Sequence, residues 1–205
     1  MKLNYKKIFA VIMCTAMAAI TLTGCGKSKG DEASYTKGLL EVAYFAQKPE
    51  NIDTLSMKKD ETDAASESSC EKEAQFIASY FNMENVSDDT IKSFKEAAKK
   101  LGAAADYSVN ANGDKVTVTI KPLIVKSEEL EKYVEEFAVK KYVDADKNCT
   151  EKEFVDGAVK ILEKAAFNPK YADEVKIDIT VSSKDGKYEI SDEDLAKIDN
   201  AMFVY

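Results

Sequence analysis

The chain reads as an α+β protein: helices packed on antiparallel β-hairpins, laid out as two helix-plus-hairpin halves. Three observations predict this. Apolar residues recur at helical spacing through residues 31–101 and again through 128–165. Each of these regions gives way to strict apolar–polar alternation, over 107–120 and 175–190. Each alternating region is interrupted by a turn dipeptide, Asn112-Gly113 and Asp185-Gly186, the strongest short hairpin signal. The boundaries that follow are 31–126 for the first half and 127–205 for the second.

Residues 1–24 precede this pattern and read as a secretory signal. Lys2, Lys6 and Lys7 form a basic start, and residues 8–22 form an apolar run broken only by Thr15 and Thr21. A spanning helix needs roughly 20 predominantly apolar residues, so this run suits a cleaved signal better than a membrane span. Residues 25–30 then form a short polar tether. At roughly 3.5 Å per residue it reaches less than about 20 Å.

In the first half, Tyr35, Leu39, Val42, Ala43 and Ala46 mark a helix stopped by Lys48-Pro49. Residues 49–65 are polar and read as a long loop, with Ile52, Leu55 and Met57 as its apolar anchors. A helix from about Ser66 to Asn82 buries Ala74, Ile77, Ala78 and Phe81. Ser87 caps the next, whose inner stripe is Ile91, Phe94, Ala98 and Leu101 and which ends at Gly102. Asn112 and Gly113, both tolerant of positive φ, are expected at the centre of a type I′ turn. Pro122 ends the second strand, where a missing donor is tolerated.

The second half repeats the plan. Ser127 caps a helix with Leu130, Tyr133, Val134, Phe137 and Tyr142 on its buried side. Thr150 and Glu153 form a capping box, opening a helix with Phe154, Ala158, Ile161, Leu162 and Ala165 inward. Val175, Ile177, Ile179 and Val181 alternate with polar residues, and Tyr188 and Ile190 return after the turn. Ser191 then caps a helix carrying Leu195, Ile198 and Met202.

The chemical vocabulary is narrow. Arginine, histidine and tryptophan are absent, and the formal charge is −8. Without the signal the balance is 26 Lys against 37 acidic groups, or −11. A negative field with no guanidinium is unsuited to nucleic acid, where affinity comes from neutralising phosphates. Ser–His and Cys–His nucleophilic systems cannot be built without histidine, and zinc hydrolases lose their commonest ligand. No cofactor motif is present.

Asp144-Ala145-Asp146-Lys147-Asn148 begins like an EF-hand loop, but Cys149 and Val155 stand where glycine and a bidentate glutamate are required. It is read as an acidic turn between helices. Glu128, Glu129, Glu131, Glu135 and Glu136 crowd one helix. A carboxylate pair could act on glycan, but a solvated face accounts for them. Cys70 and Cys149 remain after the signal and Cys25 are set aside. They either form a disulfide in an oxidising compartment or stand as two separate thiols, and spacing leaves both open. Should an apolar pocket lie between sheet and helices, Tyr107, Phe137 and Tyr188 are the candidates for its lining.

Leu22-Thr23-Gly24-Cys25, at the end of the apolar run, resembles the lipobox of bacterial lipoproteins. The resemblance implies a diacylglycerol thioether on Cys25 and cleavage between Gly24 and Cys25. Two acyl chains give durable anchoring at about 0.8 kcal/mol per buried methylene. A wider resemblance rests on Ala33-Ser34-Tyr35-Thr36-Lys37-Gly38, the hairpin over 106–122 and Asp185-Gly186-Lys187-Tyr188-Glu189-Ile190. These are similar to small lipoproteins of Gram-positive bacteria that carry a helix-rich domain of unknown function. That resemblance implies a cystatin-like or NTF2-like sheet wrapped by helices, anchored on the extracytoplasmic face of the cell membrane. The expected role is a non-enzymatic binding or interaction module, its partner an envelope protein or a small apolar ligand. The alternative is a carboxylate-dependent envelope enzyme acting on glycan.

Overall fold

Alternation of Val116, Val118 and Ile120 with Lys115, Thr117, Thr119 and Lys121 gives a strand with one buried face, and that strand lies inside a four-stranded antiparallel sheet. The computed structural model describes residues 31–44, 55, 59–142, 149–184 and 187–205. Gly24, Cys25, the tether, 144–148 and the pair Asp185-Gly186 fall outside these. The described helices are α1 (Asp31–Tyr44), α2 (Lys59–Tyr80), α3 (Asp88–Ala103), α4 (Glu128–Tyr142), α5 (Glu151–Phe167) and α6 (Asp192–Met202). The strands are β1 (Asp106–Asn112), β2 (Lys115–Lys121), β3 (Leu123–Ile124), β4 (Val175–Lys184), β5 (Lys187–Ile190) and β6 (Phe203–Val204). Helices with an antiparallel sheet make this the α+β class expected.

The sheet order is β1-β2-β4-β5, so the two hairpins do not stand apart. They join at the centre, where Val116 faces Ile179 and Val118 faces Ile177. In β1–β2, Asn112 pairs with Lys115. The turn is therefore centred on Gly113 and Asp114, one residue later than the dipeptide rule suggests. Gly113 has φ +68°, and Asp114 is not among the positive-φ residues. That is the pattern of a type II′ turn, with glycine at its first central position.

Two hydrophobic cores result. The first lies on the inner face of the sheet. There α1 (Tyr35, Leu39, Leu40, Val42) and α6 (Leu195, Ile198, Met202) cover Val116, Val118, Ile120, Ile177, Ile179 and Val181. The second is a helical bundle formed by α2, α3, α4 and α5 around Ile77, Phe94, Leu101, Leu130, Ala158 and Leu162. Each fully buried Leu, Ile or Phe contributes about 1.5–3 kcal/mol. Both cores draw on both halves of the chain. Between them β6 pairs in parallel with β3, a pairing with no mark in the periodicity.

Helix α2 starts at Lys59, inside the stretch expected to be a loop. From Thr62 to Glu73 it buries Thr62, Ser66, Ser69, Cys70 and Glu73, which carry no apolar stripe to read. Helix α2 also packs against α1, which itself buries Thr36 and Glu41. The Thr36 hydroxyl donates to the Glu32 carbonyl at 2.8 Å, satisfying itself within its own helix. A polar, small-residue seam of this kind folds helically because the rest of α2 is anchored by Ala74, Phe76, Ile77 and Ala78 in the bundle.

Candidate aromatic groove of the helical bundle

The caps that start α3 and α5 position the site. Ser87 accepts from the Thr90 N–H and Thr150 from the Glu153 N–H, as a Ser/Thr N-cap requires. Helix α2 ends in a Schellman arrangement. The Met83 N–H donates to the Ala78 carbonyl at 3.0 Å and the Asn82 N–H to that of Ser79 at 2.9 Å. Asn82 takes φ +53° at the residue past the helix end, and Asn85 takes the same value three residues on. The turn leaves Phe81 pointing at the bundle, with its ring centroid 5.3 Å from that of Phe154 in an edge-on contact and 5.9 Å from that of Phe94.

Helix α4 supplies the opposite wall. Phe137 lies 5.0 Å from Phe154, and the Tyr133 ring stacks on Phe154 at 5.8 Å. The groove between has a volume of about 370 Å³, and its walls include Phe81, Val134, Phe137, Tyr142 and Phe154. Glu84, Lys141 and Glu151 stand among its polar residues. Of α4 only Leu130 is fully buried. Tyr142, expected on the buried side, is 77% exposed, and Val139 is 49% exposed. The correction follows from the packing, because α4 leans chiefly on α5.

The three aromatic residues proposed from the sequence are not brought together. Tyr188 is buried in the sheet-side core with its ring 5.4 Å from that of Tyr35. Tyr107 packs half-buried against that same core, whereas Phe137 belongs to the bundle. Sequence reasoning missed Phe81, Val134 and Phe154 as partners of Phe137. Their inward spacing was visible, but which helices met along it was not.

A second, polar cleft of about 730 Å³ runs between α3 and α5. Several of its carboxylates are held by partners. The Thr90 hydroxyl donates to Glu151 Oε1 at 2.5 Å, and the Ser87 N–H and hydroxyl donate to the same oxygen at 3.3 and 3.2 Å. Those bonds, from Thr90 first, hold the Glu151 carboxyl below its ordinary value. Asp156 pairs with Lys152 and Glu163 with Lys100. Burial pushes the Glu73 carboxyl up to about 7. It sits inside the fold, 8% exposed, not in either cleft.

Cys70 and Cys149 are not bridged to each other: Cys70 is buried on α2 and Cys149 half-buried just before α5. Burial pushes the Cys70 thiol up to about 11. Among the described residues no cluster of three or more His, Cys, Asp or Glu could hold a metal ion, and no helix is long and apolar enough to cross a membrane.

No family model matches the chain, and no curated protein matches it. A solved structure does. It is the crystal structure of "a putative lipoprotein (ycdA)" from Bacillus subtilis subsp. subtilis str. 168, similar with a TM-score of 0.59 at 16% identity. The match covers 91% of this chain and 58% of that one, so the chain spans little more than half the length of its structural neighbour. At this identity the likeness establishes a shared fold.

Proposed function

We propose that this chain is a lipid-anchored protein of the bacterial cell envelope whose domain binds a protein partner through the aromatic groove. Leu22-Thr23-Gly24-Cys25 after an apolar run supports the anchor, and the fold shared with a protein described as a putative lipoprotein agrees with it. The observation that carries the binding role is the groove itself. Phe81, Phe137 and Tyr142 present apolar surface at the end of a bundle, in a protein whose net charge is −8. Glu84 on its margin matches a partner segment that carries an apolar side chain flanked by lysine or arginine. The tether leads into α1, on the sheet-side core, while the groove belongs to the bundle.

Two experiments test this. Replacing Cys25→Ala should release the domain from membranes or leave the precursor uncleaved, and a processed, membrane-bound variant would sink the anchor. For the groove, synthetic Leu- or Phe-containing peptides flanked by lysine should bind the domain. Phe137→Ala and Tyr142→Ala should each weaken that binding about tenfold, the scale of a hot-spot truncation. Equal binding by wild type and both variants removes the groove from the proposal.

A further inference from the structure

Residues 203–205 cross the junction of the two cores. Phe203 packs against both of them. Val204 offers its carbonyl to the Val125 and Lys126 amides at 2.8 and 3.0 Å. The Tyr205 ring lies 4.9 Å from Phe76 and 5.6 Å from Tyr80, both on α2. Its hydroxyl donates to Glu73 Oε1. The other carboxyl oxygen, Glu73 Oε2, is buried without a hydrogen-bond partner, and Ser69 Oγ one turn earlier is in the same condition. A carboxylate buried with one donor for two oxygens is poorly compensated, whereas the neutral acid gives up little there.

We propose that segment 203–205 is a pH-sensitive strap: protonated Glu73 keeps Tyr205 seated between the cores, and ionised Glu73 drives it out toward water. Burial, which outweighs the Tyr205 hydrogen bond, pushes the Glu73 carboxyl up to about 7. Ionisation therefore falls at neutral pH, not in acid. The other titratable groups around this contact, among the described residues, are Tyr205 itself, Tyr80 and Cys70 on α2 and Asp199 on α6. The nearby ammonium groups are paired elsewhere, Lys126 beside Tyr80 with Glu131 and Lys95 and Lys99 beside Cys70 with Glu67, and burial together with Glu73 holds the Tyr205 phenol well above its ordinary value. The phenol stays neutral, and the Glu73 carboxyl, with its half-satisfied buried oxygens, is the group on which the strap closes. Opening would uncover Phe76, Tyr80 and the Leu123 edge without unfolding either core.

The test is hydrogen exchange on the intact domain at pH 5 and pH 8, corrected for the intrinsic pH dependence of exchange. Protection of the Val125 and Lys126 amides should fall about tenfold or more between pH 5 and pH 8. The Ala172 amide, bonded to the Pro122 carbonyl at 2.9 Å, should not change. Glu73→Gln should abolish the pH dependence at Val125 and Lys126 while leaving them protected. Carbon-detected titration of the Glu73 carboxyl gives a second readout, with a midpoint near 7 expected. A midpoint between 4 and 5, or the same pH dependence in wild type and Glu73→Gln, overturns the strap.

Discussion

The Tyr133 hydroxyl sits against Gly157, and only the missing side chain of Gly157 lets it reach the α5 backbone. The hydroxyl is 3.0 Å from the carbonyls of both Glu153 and Phe154. A Cβ at Gly157 would overlap the end of the Tyr133 ring. Gly157→Ala would otherwise add about 1 kcal/mol through helix propensity. Here it has to evict a ring wedged between Phe137 and Phe154, so the expected net result is a loss of about 1–3 kcal/mol, read by chemical denaturation. Tyr133→Ala in the Gly157→Ala background should cost less than the two single changes summed, because the overlap is gone.

Glu151 serves α3 from the first turn of α5. Removing its carboxylate in Glu151→Ala should destabilise the domain by about 1–2 kcal/mol, since the Thr90 hydroxyl loses its acceptor. Thr90→Val measured with and without Glu151→Ala would show the coupling as non-additivity in urea midpoints.

The pH profile of stability follows from two carboxyls shifted in opposite senses. Glu151 is held low by Thr90 and Ser87. Its contribution is present above its unfolded value and is lost as pH falls through the lower folded value. Glu73 is raised from 4.5 to about 7 by burial. The folded state then holds the proton more tightly, so stability falls as pH rises from about 4.5 to 7 and levels off above. The size is about 3 kcal/mol. Thermal melts should peak in mild acid, and Glu73→Gln should raise the melting temperature at pH 8 while flattening the slope between pH 5 and 7.

Thiol chemistry should separate the two cysteines. Cys149 should react with a thiol reagent in the native domain. Cys70, buried and with its thiol raised to about 11, should react only when the domain is denatured. Equal rates for both in the native state would contradict the burial of Cys70.

The sequence made legible what local rules govern. The Ser87, Thr150 and Ser191 caps stand where expected, as do the alternating β2 and β4 and the buried Leu195, Ile198 and Met202 of α6. Local rules failed where partners are distant. The start of α2 was hidden because Thr62, Ser66 and Ser69 bury without apolar periodicity. The turn moved to Gly113-Asp114 because β1–β2 pairing, not the dipeptide, sets its centre. Tyr142 and Val139 are exposed because spacing does not show which turns of α4 the tertiary packing covers. The groove depended on that same packing, so of its walls only Phe137 was foreseen as pocket lining, and Phe81, Val134 and Phe154 were foreseen as core.

The seam between β2 and β4 dictates when this protein can fold. Val118 meets Ile177 across almost sixty residues, so the first hairpin has no central neighbour until most of the chain is available. Contacts of such long sequence separation slow folding and leave strand edges open meanwhile. A polypeptide threaded through a membrane from its beginning would emerge with β2 unpaired and with both cores lacking essential walls.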